Sequence, residues 1–498
     1  MACNGDDNSS DSGTDGDTDG DTDGDTDGDT DGDTDGDTDG DTDGDTDGDT
    51  DGDADGDSGV GDSGVGDVST LKDLTVFVWS DVDGSRALTP TFDPNTSVYF
   101  LNVGSLAKKV LLMPTATDPN SIIKIGSETI VSGKMSGALT LNTGITSINI
   151  EVTAPSDKKQ SYSLMVNRGD KLEQRAYVKA SNSKEGDSFG DSMAASGDFF
   201  AVGAPGEDAA TGAVYMFRRV GSSWIQEAYL KASNAQPGDR FGVSVTLSGD
   251  TLVVGADGEA SDANGVNTGL AGESDNSATD AGAVYVFTRT GTTWSQQAYI
   301  KASNSDGLDH FGVSVTLSGD TLVVGAYGEA SNADGVSTDG TGESDNSKSS
   351  IGAVYVFTRT GITWSQQAYV KASNSDKGDH FGTSVTLSGD TFVVSACGEA
   401  SDADGVNAGS AGESDNSATD AGAVYVFTRT GTTWSQQAYI KASNSDEWDA
   451  FGSSVSLSGD TLIVGARREA SDADGVSTDG TGESDNSANF IGAAYVFM

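Results

Sequence analysis

Residues 311–326 read Phe-Gly-Val-Ser-Val-Thr-Leu-Ser-Gly-Asp-Thr-Leu-Val-Val-Gly-Ala, and this stretch decides the fold. Its opening Phe-Gly pair recurs five times along the chain, at steps of 52, 70, 70 and 70 residues, and each copy opens the same pattern. The five pairs are Phe189-Gly190, Phe241-Gly242, Phe311-Gly312, Phe381-Gly382 and Phe451-Gly452. Self-similarity at this period is the signature of a repeat architecture.

Each repeat predicts four strands. In the third unit they cover residues 311–317, 321–326, 352–358 and 364–371, with a Ser-Gly-Asp turn after the first and a long polar loop at about 327–350. The third strand is apolar on both faces, so a neighbour must cover each face. Four-stranded antiparallel blades in radial repetition describe a β-propeller.

The two ends of the repeat region predict a closed ring. The fifth unit stops at residues 495–498, where its third strand ends, and residues 172–182 match a fourth strand but stand before the first Phe-Gly. A strand from 172–182 that completes the fifth blade removes both exposed sheet edges. The sequence therefore predicts an all-β fold with a five-bladed propeller over 170–498, its blades starting near 189, 241, 311, 381 and 451.

Two further regions precede the propeller. Residues 69–168 hold six short β-rich runs between turn signals, which predict a small β-sandwich. Residues 1–68 are rich in Asp, Gly and Thr, and the first 67 carry 27 Asp with no Lys or Arg. With so little apolar surface to bury, this tail is expected to be a disordered acidic tether.

The net charge of −52 excludes nucleic acid as a partner, because the chain has no basic patch with which to replace counterions. The same charge attracts divalent cations and basic partners. The tail is either a solvated spacer or a weak calcium sponge, since nothing fixes its carboxylates around an ion. No run approaches the length of a membrane helix.

Cys3 follows a small residue and precedes the acidic stretch, which resembles the processing site of a bacterial lipoprotein. The apolar signal that precedes such a site is missing from the sequence. Cys3 is therefore either a lipidation site, with a start placed too late, or an ordinary N-terminal residue. The corresponding location is the cell surface, as an outer-membrane lipoprotein, or the extracellular medium.

The repeats resemble FG-GAP repeats, the units of the integrin α-subunit propeller and of many bacterial surface proteins. The recurring Phe-Gly, Ser-Gly-Asp, Val-Gly-Ala and Gly-Ala-Val-Tyr-Val-Phe runs carry this resemblance, with Gly203-Ala204-Pro205 in the first unit. Pro205 becomes Asp257, Tyr327, Cys397 and Arg467 in later units. Residues 69–168 resemble a cadherin-like sandwich domain through runs such as 88–96 and 160–168. Together the resemblances imply a binding or adhesion protein, not an enzyme.

The family's usual calcium loop lies between the first two strands, and only three residues stand there in this chain. The longer loop between strands two and three offers alternating oxygens and a glycine, as calcium loops require. It is either a solvated acidic loop or a calcium site. The candidate ligands are Asp262, Asn264, Asn267, Asp334, Asp339, Asp402, Asp404, Asn407, Asp472, Asp474 and Asp479.

Three other recurring features have a structural and a functional interpretation. The Asp two places before each Phe-Gly either caps a turn or lines a cation-binding ring (Asp187, Asp239, Asp309, Asp379 and Asp449). The recurring Trp residues are either packing residues or sugar-stacking platforms (Trp224, Trp294, Trp364 and Trp434). His310 and His380 are expected to face solvent.

The function that follows is a surface binding or adhesion protein that recognises a protein or a carbohydrate through propeller loops, with calcium as a possible aid. One alternative is a structural cell-envelope component without a discrete ligand. A second is a propeller hydrolase whose catalytic residues are not recognisable, since no nucleophile, metal or phosphate motif appears.

Overall fold

The computed structural model describes residues 69–79, 85–171, 174–267, 273, 275–340, 342–407, 415–473, 475–477, 486 and 490–498. The predicted acidic tether and Cys3 lie outside these residues. Within them, no helix is long and apolar enough to cross a membrane.

The first domain is a β-sandwich, as predicted. Its strands are β1 (Leu71–Val78), β2 (Ser85–Arg86), β3 (Val98–Val103), β4 (Lys109–Ala116), β5 (Ile122–Ile125), β6 (Glu128–Ile130), β7 (Leu139–Thr140), β8 (Gly144–Thr153) and β9 (Lys159–Arg168). They form two sheets, in the orders β2-β1-β4-β7 and β3-β9-β8-β5-β6. Alternate residues of the strands point inward, and one apolar cluster that includes Leu112, Ile150 and Leu164 fills the space between the sheets.

The repeats form five small antiparallel sheets, each of which we call a blade. Blade 1 holds β10 (Met193–Ser196), β11 (Phe199–Ala204), β12 (Ala213–Val220) and β13 (Ser223–Leu230), with a single turn, α1 (Glu207–Ala210), between β11 and β12. Blade 2 holds β14 (Ser244–Ser248), β15 (Thr251–Ala256), β16 (Val266–Asn267), β17 (Ala283–Thr290) and β18 (Thr293–Ile300). Blade 3 holds β19 (Ser314–Ser318), β20 (Thr321–Ala326), β21 (Val336–Ser337), β22 (Ala353–Thr360) and β23 (Thr363–Val370).

The last two blades follow the same plan. Blade 4 holds β24 (Phe381–Ser388), β25 (Thr391–Ala396), β26 (Val406–Asn407), β27 (Ala423–Thr430) and β28 (Thr433–Ile440). Blade 5 holds β29 (Phe451–Ser458), β30 (Thr461–Ala466) and β31 (Ala493–Phe497). The four predicted strands of a repeat are thus present, and the third is buried on both faces in blades 2 to 4, as its composition requires.

The long polar loop contributes a strand that the sequence did not predict. In blades 2, 3 and 4 a two-residue strand from this loop pairs with the fourth long strand, as Val336 and Ser337 pair with Val370 and Tyr369. The sheet order in blade 3 is therefore β19-β20-β22-β23-β21. This strand anchors the loop on the outer edge of its blade.

The first strands of successive blades are neighbours, and the Phe-Gly pair makes this approach possible. Phe381 is fully buried, with its ring edge against Tyr425 and Phe427. Gly382 has φ of +95°, and a Cβ there would meet the Ala353 carbonyl oxygen at 2.5 Å. Ser314 Oγ of the preceding blade donates to the Gly382 carbonyl oxygen at 2.8 Å.

Successive blades also share apolar cores. Four clusters each join two neighbouring blades, from the first pair to the last. The cluster between blades 3 and 4, for example, contains Val356 and Val370 of one sheet with Phe392 and Val394 of the next. Each blade is therefore held mainly by the blade before it and the blade after it.

The predicted closing strand is not a strand in this structure. Residues 174–180 belong to no sheet, and among the described residues the fifth sheet has the three strands β29, β30 and β31. The segment is instead held on blade 1, where Asn182 Nδ2 donates to Glu207 Oε1 at 3.1 Å. Closure of the ring is not shown, so it stays a prediction.

The sandwich contacts blade 1 through a charged pair. Arg86 Nη1 of β2 lies 2.5 Å from Asp198 Oδ1, in the turn between β10 and β11, and Arg219 binds the same carboxylate. This turn lies at the opposite end of β10 from Phe189-Gly190. The Phe-Gly end of blade 1 is thus the end farther from this contact.

Candidate binding surface at the Phe-Gly end of the blades

The repeats are nearly identical in sequence, but at one end of the blades their side chains differ in chemistry. Residues 281–306 and 421–446 are identical, yet four residues later His310 corresponds to Ala450. We define the variable row as the residue before each Phe-Gly pair and the residue after the second long strand of each blade. Its members are Ser188, Pro205, Arg240, Asp257, His310, Tyr327, His380, Cys397, Ala450 and Arg467.

The backbone holds half of this row in an unusual conformation. The residue before each Phe-Gly pair has a φ of 54° to 57°, although it is not glycine in any blade. In blades 2 to 5 its N–H donates to a carbonyl between the second and third long strands of the preceding blade, as His310 donates to Asp280 at 2.9 Å. Non-glycine residues in this region cost free energy, and such strain often accompanies functional sites.

Three side chains from blades 2 and 3 meet in the row. Arg240 Nη2 donates to Asp257 Oδ2 at 2.8 Å. His310 Nδ1 lies 3.9 Å from the same oxygen and 3.5 Å from Arg240 Nη2. Sequence analysis missed this cluster, because Arg240 and His310 are far apart in the chain and meet only when the blades stack.

The cluster contains buried polar atoms without partners. Asp257 is 3% exposed, and among the described residues its Oδ1 has no hydrogen-bond partner, nor does Arg240 Nε. Burial raises the pKa of Asp257 to about 6, and the Arg240 guanidinium opposes this rise. The cluster thus holds one acceptor and one donor that make no hydrogen bond within the described residues.

The row continues as an aromatic stack. The rings of His310 and Tyr327 are parallel with centroids 4.6 Å apart, and the Tyr327 ring meets His380 edge-on at 5.7 Å. Burial lowers the pKa of both histidines and raises that of Tyr327 to about 12. The expectation that the histidines face solvent is wrong, since the His310 side chain is only 15% exposed.

The Asp two places before each Phe-Gly caps a turn. Its Oδ2 accepts the N–H of the residue three positions earlier in all five blades, at 2.9 Å for Asp309 and 2.8 Å for Asp379. Burial raises the pKa of these two carboxyls to about 8 and about 7. The capping interpretation is confirmed. In the described part of the chain, no group of three or more His, Cys, Asp or Glu side chains is placed to hold a metal ion.

The candidate calcium ligands have several different partners. The equivalent residues Asn264, Asp334 and Asp404 each accept the N–H of a serine in the turn after the fourth strand, at 2.6, 3.3 and 2.9 Å. Asn267 and Asn407 lie in the short strands β16 and β26. Asp339 accepts from Ser337 Oγ at 3.2 Å.

A pair of carboxyls in the loop has a different geometry. Asp262 hydrogen-bonds Asp275, which raises the pKa of Asp262 and lowers that of Asp275, and Asp402 and Asp415 repeat the arrangement. The side chains of Asp262 and Asp402 are exposed, whereas those of Asp275 and Asp415 are half-buried. In blade 5, Asp472 is described, whereas Asp474 and Asp479 lie outside the described residues.

The recurring tryptophans are packing residues in blades 2 to 4. Trp294, Trp364 and Trp434 are at most 8% exposed. Trp364 Nε1 donates to Gln297 of the preceding blade at 3.2 Å, and the Arg359 guanidinium lies 5.2 Å from its ring. A sugar cannot stack on faces that are covered in this way.

Two family profiles match the chain. The profile described as FG-GAP repeat matches residues 172–217, 224–287, 294–357, 364–411 and 434–497, which together make up more than half of the chain. Each match after the first begins within the fourth long strand of one blade and continues into the next blade. The profile described as cadherin-like beta sandwich domain matches residues 71–169.

A curated protein of Evansella cellulosilytica is also similar. It bears the name "Putative membrane protein" and is 31% identical over 81 residues, which is 16% of this chain. The chain spans 12% of that relative's length. The likeness is therefore local.

Proposed function

Because the chain belongs to the FG-GAP repeat family and also carries a cadherin-like β-sandwich domain, we propose that it is a surface or secreted binding protein. Its ligand, a protein or a carbohydrate, contacts the variable row. The observation that carries this proposal is the concentration of unlike polar and aromatic side chains in one row of otherwise near-identical repeats.

The chemistry of the row supports a polar ligand. The Arg240 guanidinium and the Asp257 carboxylate offer a donor and an acceptor that have unused capacity, and the His310 and Tyr327 rings lie beside them. Desolvated polar groups of this kind favour a ligand that supplies the missing hydrogen bonds and reject one that does not.

The placement of the sandwich supports display of this row. Arg86 binds Asp198 at the end of blade 1 that lies opposite the Phe-Gly pair. In our proposal the acidic residues 1–68 act as a tether, with Cys3 as a lipid anchor, and the blades form a closed five-bladed propeller. The row then faces away from the cell, and calcium bound by the acidic loops assists recognition.

The test is a binding screen of the full chain on a glycan array and on an array of purified cell-surface proteins. We expect saturable binding that Arg240→Ala and His310→Ala each weaken at least tenfold. Ile362→Ala is the matched control, because Ile362 is 73% exposed at the opposite end of blade 3. Equal binding by all variants contradicts a role for the row, and an absence of binding on both arrays favours a structural envelope component.

A hydrolase is the second candidate, and the cluster of Arg240, Asp257 and His310 is the observation that favours it. These side chains combine a charge stabiliser with two groups that exchange protons. We propose binding rather than catalysis, because the cluster holds a single carboxyl, whereas glycoside hydrolysis uses a pair of them. Hydrolysis of a glycoside or ester substrate that is lost in Asp257→Asn overturns this choice.

A further inference from the structure

A cavity lies between blades 2 and 3, at their outer edges. Its volume is about 410 Å³, which is typical of sites for small molecules. Gly265 and Val266 of blade 2 line one side, and the long loop and fourth long strand of blade 3 line the other. None of the described residues that line it belongs to the variable row, so this cavity is separate from the surface to which we assign the ligand above.

Hydroxyl and amide side chains make up much of the lining. They include those of Ser303, Ser337, Thr338, Gln366 and Gln367. Gln366 Nε2 donates to Ser303 Oγ at 3.0 Å, whereas Gln366 Oε1 is a buried acceptor without a partner among the described residues. Amides and hydroxyls both donate and accept, so this lining matches a ligand that carries several hydroxyl groups.

A glutamate supplies negative charge to the same cavity. Glu343 belongs to the lining and is only 7% exposed. Its Oε2 accepts the hydroxyl of Ser303, and a Cβ at Gly340, which also lines the cavity, would lie 4.0 Å from its Oε1. In the described part of the chain, no lysine or arginine forms an ion pair with this carboxylate. Its charge is therefore not matched by a cation of the protein.

The preceding blade repeats this arrangement. Glu273 is 2% exposed and accepts the hydroxyl of Ser233, and its Oε1 has no hydrogen-bond partner within the described residues. The glutamate after the second long strand is different, because Glu329 binds the buried Lys371 at 2.6 Å. Blade 3 thus neutralises one of its two buried glutamates and leaves the other, Glu343, without a counter-charge.

A cation in the cavity would relieve this imbalance. A buried carboxylate without a counter-charge is strongly unfavourable. Burial raises the pKa of Glu343, and the charge of Glu329 adds to this rise. A bound metal ion is not favoured, because calcium needs several oxygens and no group of three or more His, Cys, Asp or Glu side chains converges in the described residues. A protonated amine needs only the one carboxylate.

We propose that this cavity binds an amino sugar, whose ammonium group donates to the Glu343 carboxylate and whose hydroxyls pair with the serine, threonine and glutamine side chains of the lining. A lysine side chain of a partner protein would supply the ammonium group, but its methylene stem would leave the hydroxyls and amides of the cavity without partners. The inference goes beyond the proposed function, which concerns the variable row.

The site is assigned to the junction of blades 2 and 3. At the junction of blades 1 and 2 one wall is missing, because blade 1 has the single turn α1 where blade 2 has its long loop. At the junction of blades 3 and 4, Gln436 Nε2 donates to Ser373 Oγ at 3.0 Å, as Gln366 does to Ser303. The glutamate of that loop, Glu413, lies outside the described residues.

The binding test is a titration of the isotope-labelled full chain, followed by the backbone N–H resonances of Thr338 and Gly340. These signals report on the cavity alone, and added salt screens the acidic tail. With glucosamine, at a pH where its amine is protonated, we expect saturable shifts. N-acetylglucosamine and glucose, which lack the charge, should bind at least tenfold more weakly, and so should lysine amide, which lacks the hydroxyls.

The matched variants are Glu343→Gln and Asp345→Asn. Glu343→Gln should weaken glucosamine binding at least tenfold, whereas Asp345→Asn should leave it unchanged, because Asp345 is exposed on the same loop and does not line the cavity. Arg240→Ala should also bind as the wild type does, and a loss there would contradict a site separate from the variable row. Absent shifts, equal binding of N-acetylglucosamine, tighter binding of lysine amide or unchanged affinity in Glu343→Gln each overturn the proposal.

A stability measurement without ligand tests the unmatched charge. Glu343→Gln should leave the urea midpoint of unfolding unchanged or raise it, because it removes a charge that has no counter-charge. Glu329→Gln should lower the midpoint, because Lys371 then lacks its partner. A lower midpoint for Glu343→Gln shows that the protein itself already compensates this charge, and it overturns the proposal.

Discussion

Lys371 Nζ lies 2.6 Å from Glu329 Oε2, and neither residue is exposed to solvent. Burial lowers the pKa of Lys371, and the charge of Glu329 opposes that change. The carboxylate also accepts from Asn304 of the preceding blade at 3.0 Å and from the Ser331 N–H at 3.1 Å. This network fixes the loop after the second strand against the fourth strand and against the neighbouring blade.

Loss of one partner of this pair should destabilise the protein severely. Lys371→Met leaves a buried carboxylate without its charge, which we expect to cost about 3–5 kcal/mol in the free energy of unfolding. Lys377→Met is the control, because that lysine is exposed on the following turn. The measurement is urea unfolding followed by tryptophan fluorescence. If Lys371→Met with Glu329→Gln is less stable than Lys371→Met alone, the unpaired charge is not the cause.

The glycine that opens the third strand should be irreplaceable. Gly352 has φ of +86°, and a Cβ there would meet the Phe381 carbonyl oxygen of the next blade at 2.0 Å. We expect Gly352→Ala to cost about 3 kcal/mol, from the combined backbone strain and overpacking. Gly361 has φ of +65° with nothing within 4 Å, so Gly361→Ala shows the strain alone. Equal destabilisation by the two substitutions would contradict the steric argument.

The order of the long strands was predictable, because alternation and turn residues are local signals. The segment 321–326 is β20 as predicted. The first strand of blade 3 begins three residues later than expected, at Ser314, whereas in blades 4 and 5 it begins at Phe381 and Phe451 as predicted. The strand β21 was not predictable, since two residues in a polar loop show no periodicity.

The variable row was only half predictable. The sequence shows that Pro205, Asp257 and Tyr327 differ at one repeat position, but it does not show what they touch. Arg240 and His310 belong to different blades, and their approach depends on how the blades stack. His310 was expected in solvent because it lies in a turn, yet the Tyr327 ring covers it.

The paired carboxyls of the long loops predict calcium binding in blades 2 and 4. Asp262 and Asp275 contact each other at the surface, and a divalent cation between them would remove their repulsion. Calorimetric titration of the full chain with calcium should give saturable heat that the double variant Asp262→Asn, Asp402→Asn reduces. Asp320→Asn with Asp390→Asn is the control, because these exposed aspartates pair with Arg359 and Arg429 at the other end of the blades. If the heat is shallow and salt-sensitive and is the same in the Asp262→Asn, Asp402→Asn variant, calcium binds to the acidic tail alone.

Stability should fall as pH rises from about 4 to about 8, because of the turn-capping aspartates. Burial, with a smaller contribution from the charge of Glu329, raises the pKa of Asp309 to about 8. The native protein therefore keeps this proton where the unfolded chain, with an ordinary Asp pKa near 4, has lost it. The stability linked to the proton is complete below pH 4 and is lost as pH rises through 8.

The comparison that isolates Asp309 uses urea midpoints at pH 5, 6, 7, 8 and 8.5. Wild-type protein should lose stability across this range, and Asp309→Asn should lose less, because the amide also accepts the Asp306 N–H but does not titrate. Asp320→Asn should keep the wild-type slope, since that carboxyl is 68% exposed. If Asp309→Asn follows the wild-type curve, the Asp309 carboxyl does not titrate in this range, and the capping bond holds it ionised despite its burial.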